Sequence, residues 1–234
     1  MPFKSILSET STHYNNHSNR IVASVHHKVY SSFVSFIFIF SRTEKVCPIR
    51  ECTGQTVGII GIGPIGLMFA RLAKLKGANV IVAGRNPLKL KMAEEFAHAD
   101  EIIDLKKYPN PEKIFKEYTD EKRGLDLAVE CVGLPEIWER IFSCVRPGGT
   151  VHFFGGCKSG STVTFDTTKM HYGDIKLMSV FHHTPKYFRQ ALDYIASGDV
   201  EVEKLITNTL SLKDVEFAMK QHIEGKAIKF LIKP

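Results

Sequence analysis

At 234 residues, with 44% hydrophobic and 24% charged side chains, the chain has the makeup of an ordinary globular protein large enough to bury a sizeable core. Its net charge of +6 is unevenly placed: residues 1–50 hold six of the 31 basic residues but only two of the 25 acidic ones, so the remainder is nearly balanced. So even a body offers no basic face, which excludes nucleic acid as a partner. The five cysteines (Cys47, Cys52, Cys131, Cys144 and Cys157) are odd in number and form no C-x-x-C pair. Neither a disulfide framework nor a structural zinc cluster is indicated, and a reduced, cytoplasmic setting is expected.

Residues 1–50 form an atypical extension. Ser, Asn and His crowd Ser5 to His27 without apolar periodicity, which reads as loop or disorder. The run Phe33-Val34-Ser35-Phe36-Ile37-Phe38-Ile39-Phe40 that follows is too short to span a bilayer, so no membrane association is expected. It also lies too far from the start, without a small-residue cleavage site, for a secretory signal; a transit peptide is the lesser alternative. An exposed run of this kind would aggregate, so it is expected to be covered.

From Thr53 onward strands and helices alternate. Thr56–Ile60 is apolar throughout, as in a strand buried on both faces. Gly61-Ile62-Gly63-Pro64-Ile65-Gly66 follows without a spare residue and passes into an amphipathic helix. In this strand-to-helix context a G-x-G-x-x-G run points to a dinucleotide site. Gly61 permits the tight turn, Gly63 lets a pyrophosphate approach the backbone, and Gly66 lets helix and strand pack closely. Pro64 presets the first helical turn, and the amides from Ile65 onward face the phosphates at the positive end of the helix.

The second strand is Asn79–Ala83, with a helix over Pro87–Phe96 capped by Asn86. Next come a strand over Glu101–Asp104, a helix over Pro111–Tyr118, a strand over Leu125–Glu130 and a helix over Pro135–Cys144. A turn at Pro147–Gly149 leads to a fifth strand over Thr150–Phe154. A sixth covers Ile175–Phe181, with a helix over Pro185–Ser197 behind it. The tail holds a helix over Leu212–Ile223 and a strand over Ala227–Ile232. This alternation predicts an α/β fold with a doubly wound parallel sheet of the Rossmann type. The expected division is 1–50 extension, 51–198 dinucleotide-binding domain and 199–234 C-terminal segment.

About 20 residues past the glycines, a preference for NAD would show an acidic residue. Gly84-Arg85-Asn86 stands there instead. Gly84 leaves room, the Arg85 fork suits a 2′-phosphate, and Lys89 adds charge, so NADP is favoured over NAD. Cys131-Val132-Gly133 and Phe154-Gly155-Gly156 follow the carboxyl ends of strands four and five, the edge where open α/β sheets bind ligands. The thiols of Cys131 and Cys157 read as incidental, His182 and His183 as polar surface, and Trp138 with the phenylalanines as core.

Several pieces together resemble one family, the medium-chain zinc-dependent alcohol and polyol dehydrogenases, with the sorbitol and threonine dehydrogenase branch nearest. They are Gly54-Gln55-Thr56-Val57 with the glycine run, Asp126 to Gly133, Val145 to Thr150, and Glu224-Gly225-Lys226-Ala227-Ile228-Lys229. The resemblance covers about residues 51–234. It implies hydride transfer between an alcohol or polyol and a nicotinamide dinucleotide, aided by a catalytic zinc, in an enzyme that can pair as a homo-oligomer. It also implies that Cys131, Val132, Gly133, Phe154 and Gly155 border the adenosine and nicotinamide portions. Val180 and Phe181 would reach the nicotinamide amide through the backbone, and residues 199–234 would fold onto a substrate domain.

The family's zinc ligands lie upstream of the glycine run. The roughly 50 residues there match none of them: Cys47 and Cys52 lack a Gly-His-Glu partner, and His13, His17, His26 and His27 lack companions. No metal ligand and no catalytic residue is therefore assigned, and the chain is expected to be truncated. The alternative is a module that holds NAD(P) without turnover.

Overall fold

The computed structural model of the protein describes residues 52–180 and 185–233. The extension over 1–50, with its Phe33–Phe40 run, lies outside the described residues, as do Phe181, His182 and His183. The central feature is a six-stranded parallel sheet in the order β3-β2-β1-β4-β5-β6. Its strands are β1 (Thr56–Ile60), β2 (Asn79–Gly84), β3 (Glu101–Asp104), β4 (Leu125–Glu130), β5 (Val145–Phe153) and β6 (Lys176–Ser179). Between them run α1 (Pro64–Leu75), α2 (Pro87–Glu95), α3 (Pro111–Glu117), α4 (Pro135–Phe142) and α5 (Thr167–Tyr172), with α6 (Pro185–Ala196) after β6. This is the Rossmann-like α/β arrangement expected.

The absence of polar alternation in β1, β2 and β4 has a direct cause. Alternate side chains of each strand enter two separate cores, one per face of the sheet. Val57, Ile59, Val80, Val82, Leu127 and Val129 pack with Leu67, Phe69 and Leu72 of α1 and with Ala191 and Ile195 of α6. Ile60, Ile81, Ala83 and Ala128 pack on the other side with Phe115 of α3 and with Ile141 and Phe142 of α4. Each of α1 to α4 opens on a proline, whose missing N–H costs nothing at a first helical position.

Three local expectations are corrected. Pro147-Gly148-Gly149 is not a turn ahead of a strand but a bulge inside one: β5 already pairs at Val145 with Leu125, loses register, and resumes at Thr150 with Leu127. The predicted helix over Leu212–Ile223 is a short 3₁₀ turn, Leu212–Asp214, followed by α7 (Val215–Ile223). A capping box formed by Ser211 and Asp214 starts that turn. A strand not anticipated, β7 (Ile206–Ser211), pairs in parallel with β8 (Lys229–Lys233) as a separate two-stranded sheet. Val200, Val202, Leu205 and Ile228 from this segment join the same core as α1.

The bulge in β5 has a partner in β4. Asp126, almost fully buried, accepts the Thr56 N–H of β1 on Oδ2 at 2.7 Å and Arg146 Nε on Oδ1 at 2.6 Å. Arg123 adds a longer contact to Oδ2 at 3.3 Å. One carboxylate thus satisfies the first amide of β1 and holds the bulged strand from within the sheet. Asp126→Asn puts an amide donor against Arg146 or Thr56. It is expected to lower the unfolding free energy by about 1–3 kcal/mol, read as a fall in the denaturant midpoint at unchanged slope.

Candidate functional site

The strand order reverses between β1 and β4, so the loops at the carboxyl ends of these two strands diverge and leave a crevice. The glycine turn forms its floor, and its glycines are bare for different reasons. Gly61 has φ +97°, and a Cβ there would sit 2.7 Å from Val132 Cγ2 and 2.8 Å from the Cys131 carbonyl carbon. A Cβ on Gly66 would collide with the Gly61 carbonyl oxygen. Packing alone therefore requires glycine at both positions. At Gly63, the N-cap of α1, φ is an ordinary −68° and a Cβ would meet no atom of the described residues within 4 Å. The fold leaves that space open.

The space lies before a helix start with no internal competitor. No side chain caps α1, and no acidic residue occupies its first turn. The first intrahelical bond runs from Leu67 N–H to the Gly63 carbonyl at 3.0 Å. Pro64 has no N–H, so Ile65 and Gly66 carry the amides without an intrahelical acceptor. Such a terminus suits an anion, and with its open approach fits the diphosphate of a dinucleotide.

At the end of β2 the residues divide by role. Gly84 has a packing reason to be bare, since a Cβ there would collide with the Ile62 side chain. Asn86 is committed on both polar atoms: Oδ1 accepts Lys89 N–H at 3.3 Å and Nδ2 donates to the Gly225 carbonyl at 2.8 Å. Arg85 is exposed beside them. Two residues missed by sequence reasoning face this corner from the C-terminal segment. Burial pushes the His222 imidazole below its usual range, with Lys89 and Lys229 adding to the effect. Burial also lowers the Lys229 amine. The Glu224–Lys229 stretch was visible as a motif, but no spacing rule ties it to a loop well over a hundred residues earlier.

Across the crevice, the loops after β4 and β5 lie against each other. Gly133 has φ +83°, and a Cβ there would come 2.6 Å from the Gly156 carbonyl oxygen. Cys131 is half-buried and Val132 exposed on this rim. Phe154 meets Phe69 of α1 edge-on at 5.2 Å, fixing its loop to the helix. Trp138 stacks on Phe153 at 4.0 Å and donates its indole N–H to the Gly155 carbonyl at 3.0 Å. Val180 follows β6, half-buried.

Beneath this rim sits Glu130, fully buried and not anticipated as a site residue, because an acid closing a strand carries no signal of its own. Its Oε1 accepts Val132 N–H at 2.6 Å and Gly133 N–H at 2.8 Å, and its Oε2 is buried near Trp138 and Gly155 without a well-aligned hydrogen bond from the described residues. Burial pushes this carboxyl above the usual range, against the pull of the Gly133 and Val132 amides.

Two buried thiols are not activated: burial raises Cys52 to about 11, outweighing nearby Lys76, and raises Cys144 as well. Among the described residues no group of three or more His, Cys, Asp or Glu is placed to hold a metal ion. By themselves they do not supply the three ligands of a catalytic zinc. Nor is any helix among them long and apolar enough to cross a membrane.

Residues 64–197 match the family model described as zinc-binding dehydrogenase. Residues 19–107 match that of the NAD-binding domain of D-isomer-specific 2-hydroxyacid dehydrogenases. D-arabinitol dehydrogenase 1 of Uromyces fabae is 29% identical over 187 residues, covering 80% of this chain and 53% of that protein. Sorbitol dehydrogenase of Bacillus subtilis is 30% identical over 184 residues, covering 77% and 51%. A zinc-binding dehydrogenase structure from Sinorhizobium meliloti, described as putative and bound to NADP, superposes with a TM-score of 0.74 at 25% identity, over 88% of this chain and 58% of that one. The chain spans about half the length of the curated relatives it matches.

Two outcomes follow from the local chemistry. Gly66→Ala is expected to destabilise the fold by about 1–3 kcal/mol through overpacking, whereas Gly63→Ala changes stability by less than about 1 kcal/mol, both read from chemical denaturation. For Glu130, the unfolded chain releases its proton near pH 4.3 or so and the folded chain at higher pH. Between those values the folded state holds more protons, so stability is fully present below the unfolded value and is lost as pH rises through the folded one. Denaturant midpoints of the native protein should therefore fall relative to those of Glu130→Gln as pH is raised from about 4 to about 8.

Proposed function

Because the chain belongs to the zinc-binding dehydrogenase family, we propose that its described residues bind a nicotinamide dinucleotide across the carboxyl edge of the sheet, with NADP preferred over NAD. The function served is hydride transfer between that cofactor and an alcohol or polyol. The observation that carries this reading is Gly63, a glycine with no packing reason to be one, standing before the uncapped start of α1. In it Ile65 and Gly66 donate amides to the diphosphate, and the rim of Cys131, Val132, Gly133, Phe154 and Gly155 excludes water from one side. Val180 continues that rim toward the nicotinamide; the part expected of Phe181 falls on a residue outside those described. The bound dinucleotide supplies the hydride acceptor at its nicotinamide ring.

Arg85, exposed at the end of β2 where an acidic residue would favour NAD, supports the NADP preference, with the Lys89, His222 and Lys229 cluster close behind. Sorbitol and D-arabinitol dehydrogenases among the relatives support the polyol class. The free cysteines among the described residues fit a reduced, cytoplasmic protein. The edge strand β6, paired on one side only among the described residues, offers backbone groups for a homo-oligomer.

Titration of the full chain with NADPH and NADH by nucleotide fluorescence tests the reading. Tighter binding of NADPH is expected, and Arg85→Ala should weaken NADPH about tenfold while leaving NADH within about twofold, since one charge-assisted contact contributes about 1.4 kcal/mol. Gly63→Ala should weaken both. Indifference of the native protein to both nucleotides would refute the site, and binding without turnover of alcohols and polyols in the presence of zinc would select a non-catalytic module.

A further inference from the structure

We propose that Glu130 is the positioning residue of the cofactor rim: its buried carboxyl sets the shape of the loop after β4, and its main-chain carbonyl ties that loop to the one after β5, the two on which the nucleotide would lie. For what the rim receives this rests on the nucleotide-binding reading above; for the geometry it does not.

Backbone amides from two different loops converge on this residue. Val132 and Gly133 donate to its Oε1 at 2.6 and 2.8 Å, which folds the chain after β4 back over its own last residue. Phe154 and Gly155, from the loop after β5, both donate to its main-chain carbonyl at 3.0 Å. Oε2 lies on the Gly155 side, where a Cβ on that glycine would come within 2.6 Å of it. The bare Cα of Gly155 is therefore the counterpart of the carboxyl group. The indole N–H of Trp138, on the Gly155 carbonyl, closes the arrangement from α4.

The effect extends to the floor of the crevice. The loop that Glu130 holds is the wall against which Gly61 packs, through Val132 Cγ2 and the Cys131 carbonyl. Displacing Val132 and Gly133 would free the turn that presents the α1 amides. A fully buried carboxyl with one oxygen lacking a well-aligned hydrogen bond from the described residues is costly for the sheet, and an apolar side chain would pack there at less cost. Such a side chain would leave the Val132 and Gly133 amides without their acceptor. The requirement is an acceptor at the reach of a glutamate, not a charge.

The test compares Glu130→Gln, Glu130→Asp and Glu130→Ala in the full chain, reading amide hydrogen exchange residue by residue together with NADPH and NADH affinity. Glu130→Gln keeps an oxygen at the Oε1 position and should stay within about threefold of the native protein in both readouts. Glu130→Asp, one methylene short, and Glu130→Ala should speed exchange at Val132 and Gly133 and weaken both nucleotides, each by about tenfold or more, with β3 unaffected; loss of one buried hydrogen bond of about 1.4 kcal/mol gives that factor. If Glu130→Ala fails to fold, the Gln and Asp pair decides alone. The proposal is overturned if Glu130→Asp binds and protects like the native protein, if Glu130→Gln is as impaired as Glu130→Asp, or if exchange rises evenly over the sheet. Should the native protein bind neither nucleotide, the binding reading fails while the exchange pattern still decides whether Glu130 holds the loops.

Discussion

The chain turns from β1 into α1 in a space bounded on three sides, and much of the crevice follows from that confinement. β1 is flanked by β2 and β4 and buried on both faces, so its polypeptide can leave only at the carboxyl edge. There the Cys131–Gly133 loop stands against Gly61 and the Ile62 side chain fills the place a Gly84 side chain would take. The helix that follows must come so close that only glycine fits at Gly66. A turn this tight delivers the amides of α1 to one place with little freedom to wander, and prepaid ordering of that kind is what a flexible ligand needs from its site.

The polar groups buried in the sheet follow the same logic at its two ends. Asp126, at the second position of β4, ties the first amide of β1 to the bulge of β5. Glu130, at the last position of the same strand, ties the loops after β4 and β5. Both carboxylates sit on one central strand and both satisfy backbone N–H groups that an interior made only of hydrocarbon would leave unpaired. β4 is thus fastened at both ends, and its neighbours take their register from it.

Where the physics is local, the sequence was legible. Proline at a helix start, glycine at a turn and unbroken apolar runs in strands buried on two faces placed most of the parallel sheet and its helices within a residue or two. What escaped has a physical reason in each case. The stretch Ile206–Ser211 carries polar Thr207, Asn208 and Thr209, all exposed, so nothing in its pattern says strand; pairing with β8 makes it one. The Pro-Gly-Gly bulge uses the same residues as a turn, and contacts distant in sequence hold it in the strand: Arg146 on Asp126 across the sheet, and the Gly148 N–H on the Gly173 carbonyl. Gly84, read as room for a ligand, also has a packing reason to be glycine, the Ile62 side chain against it. Glu130 looked like the polar close of a strand; its partners are main-chain amides, which have no signature in a sequence. The roles of Arg85, Cys131 and Val180 rest on where the chain brings them, and zinc ligands could be read neither in the sequence nor among the described residues.

The bond from Asn86 to the Gly225 carbonyl joins residues 139 apart in the chain. Asn86 also fixes the first turn of α2, and Ile228, three residues past Gly225, is buried against α1. A nascent chain emerging from the ribosome can form β1, the glycine turn and α1 early, since these are contiguous. The α2 corner waits for residues well over a hundred positions further along, and the order of synthesis thereby makes this corner settle after the glycine turn.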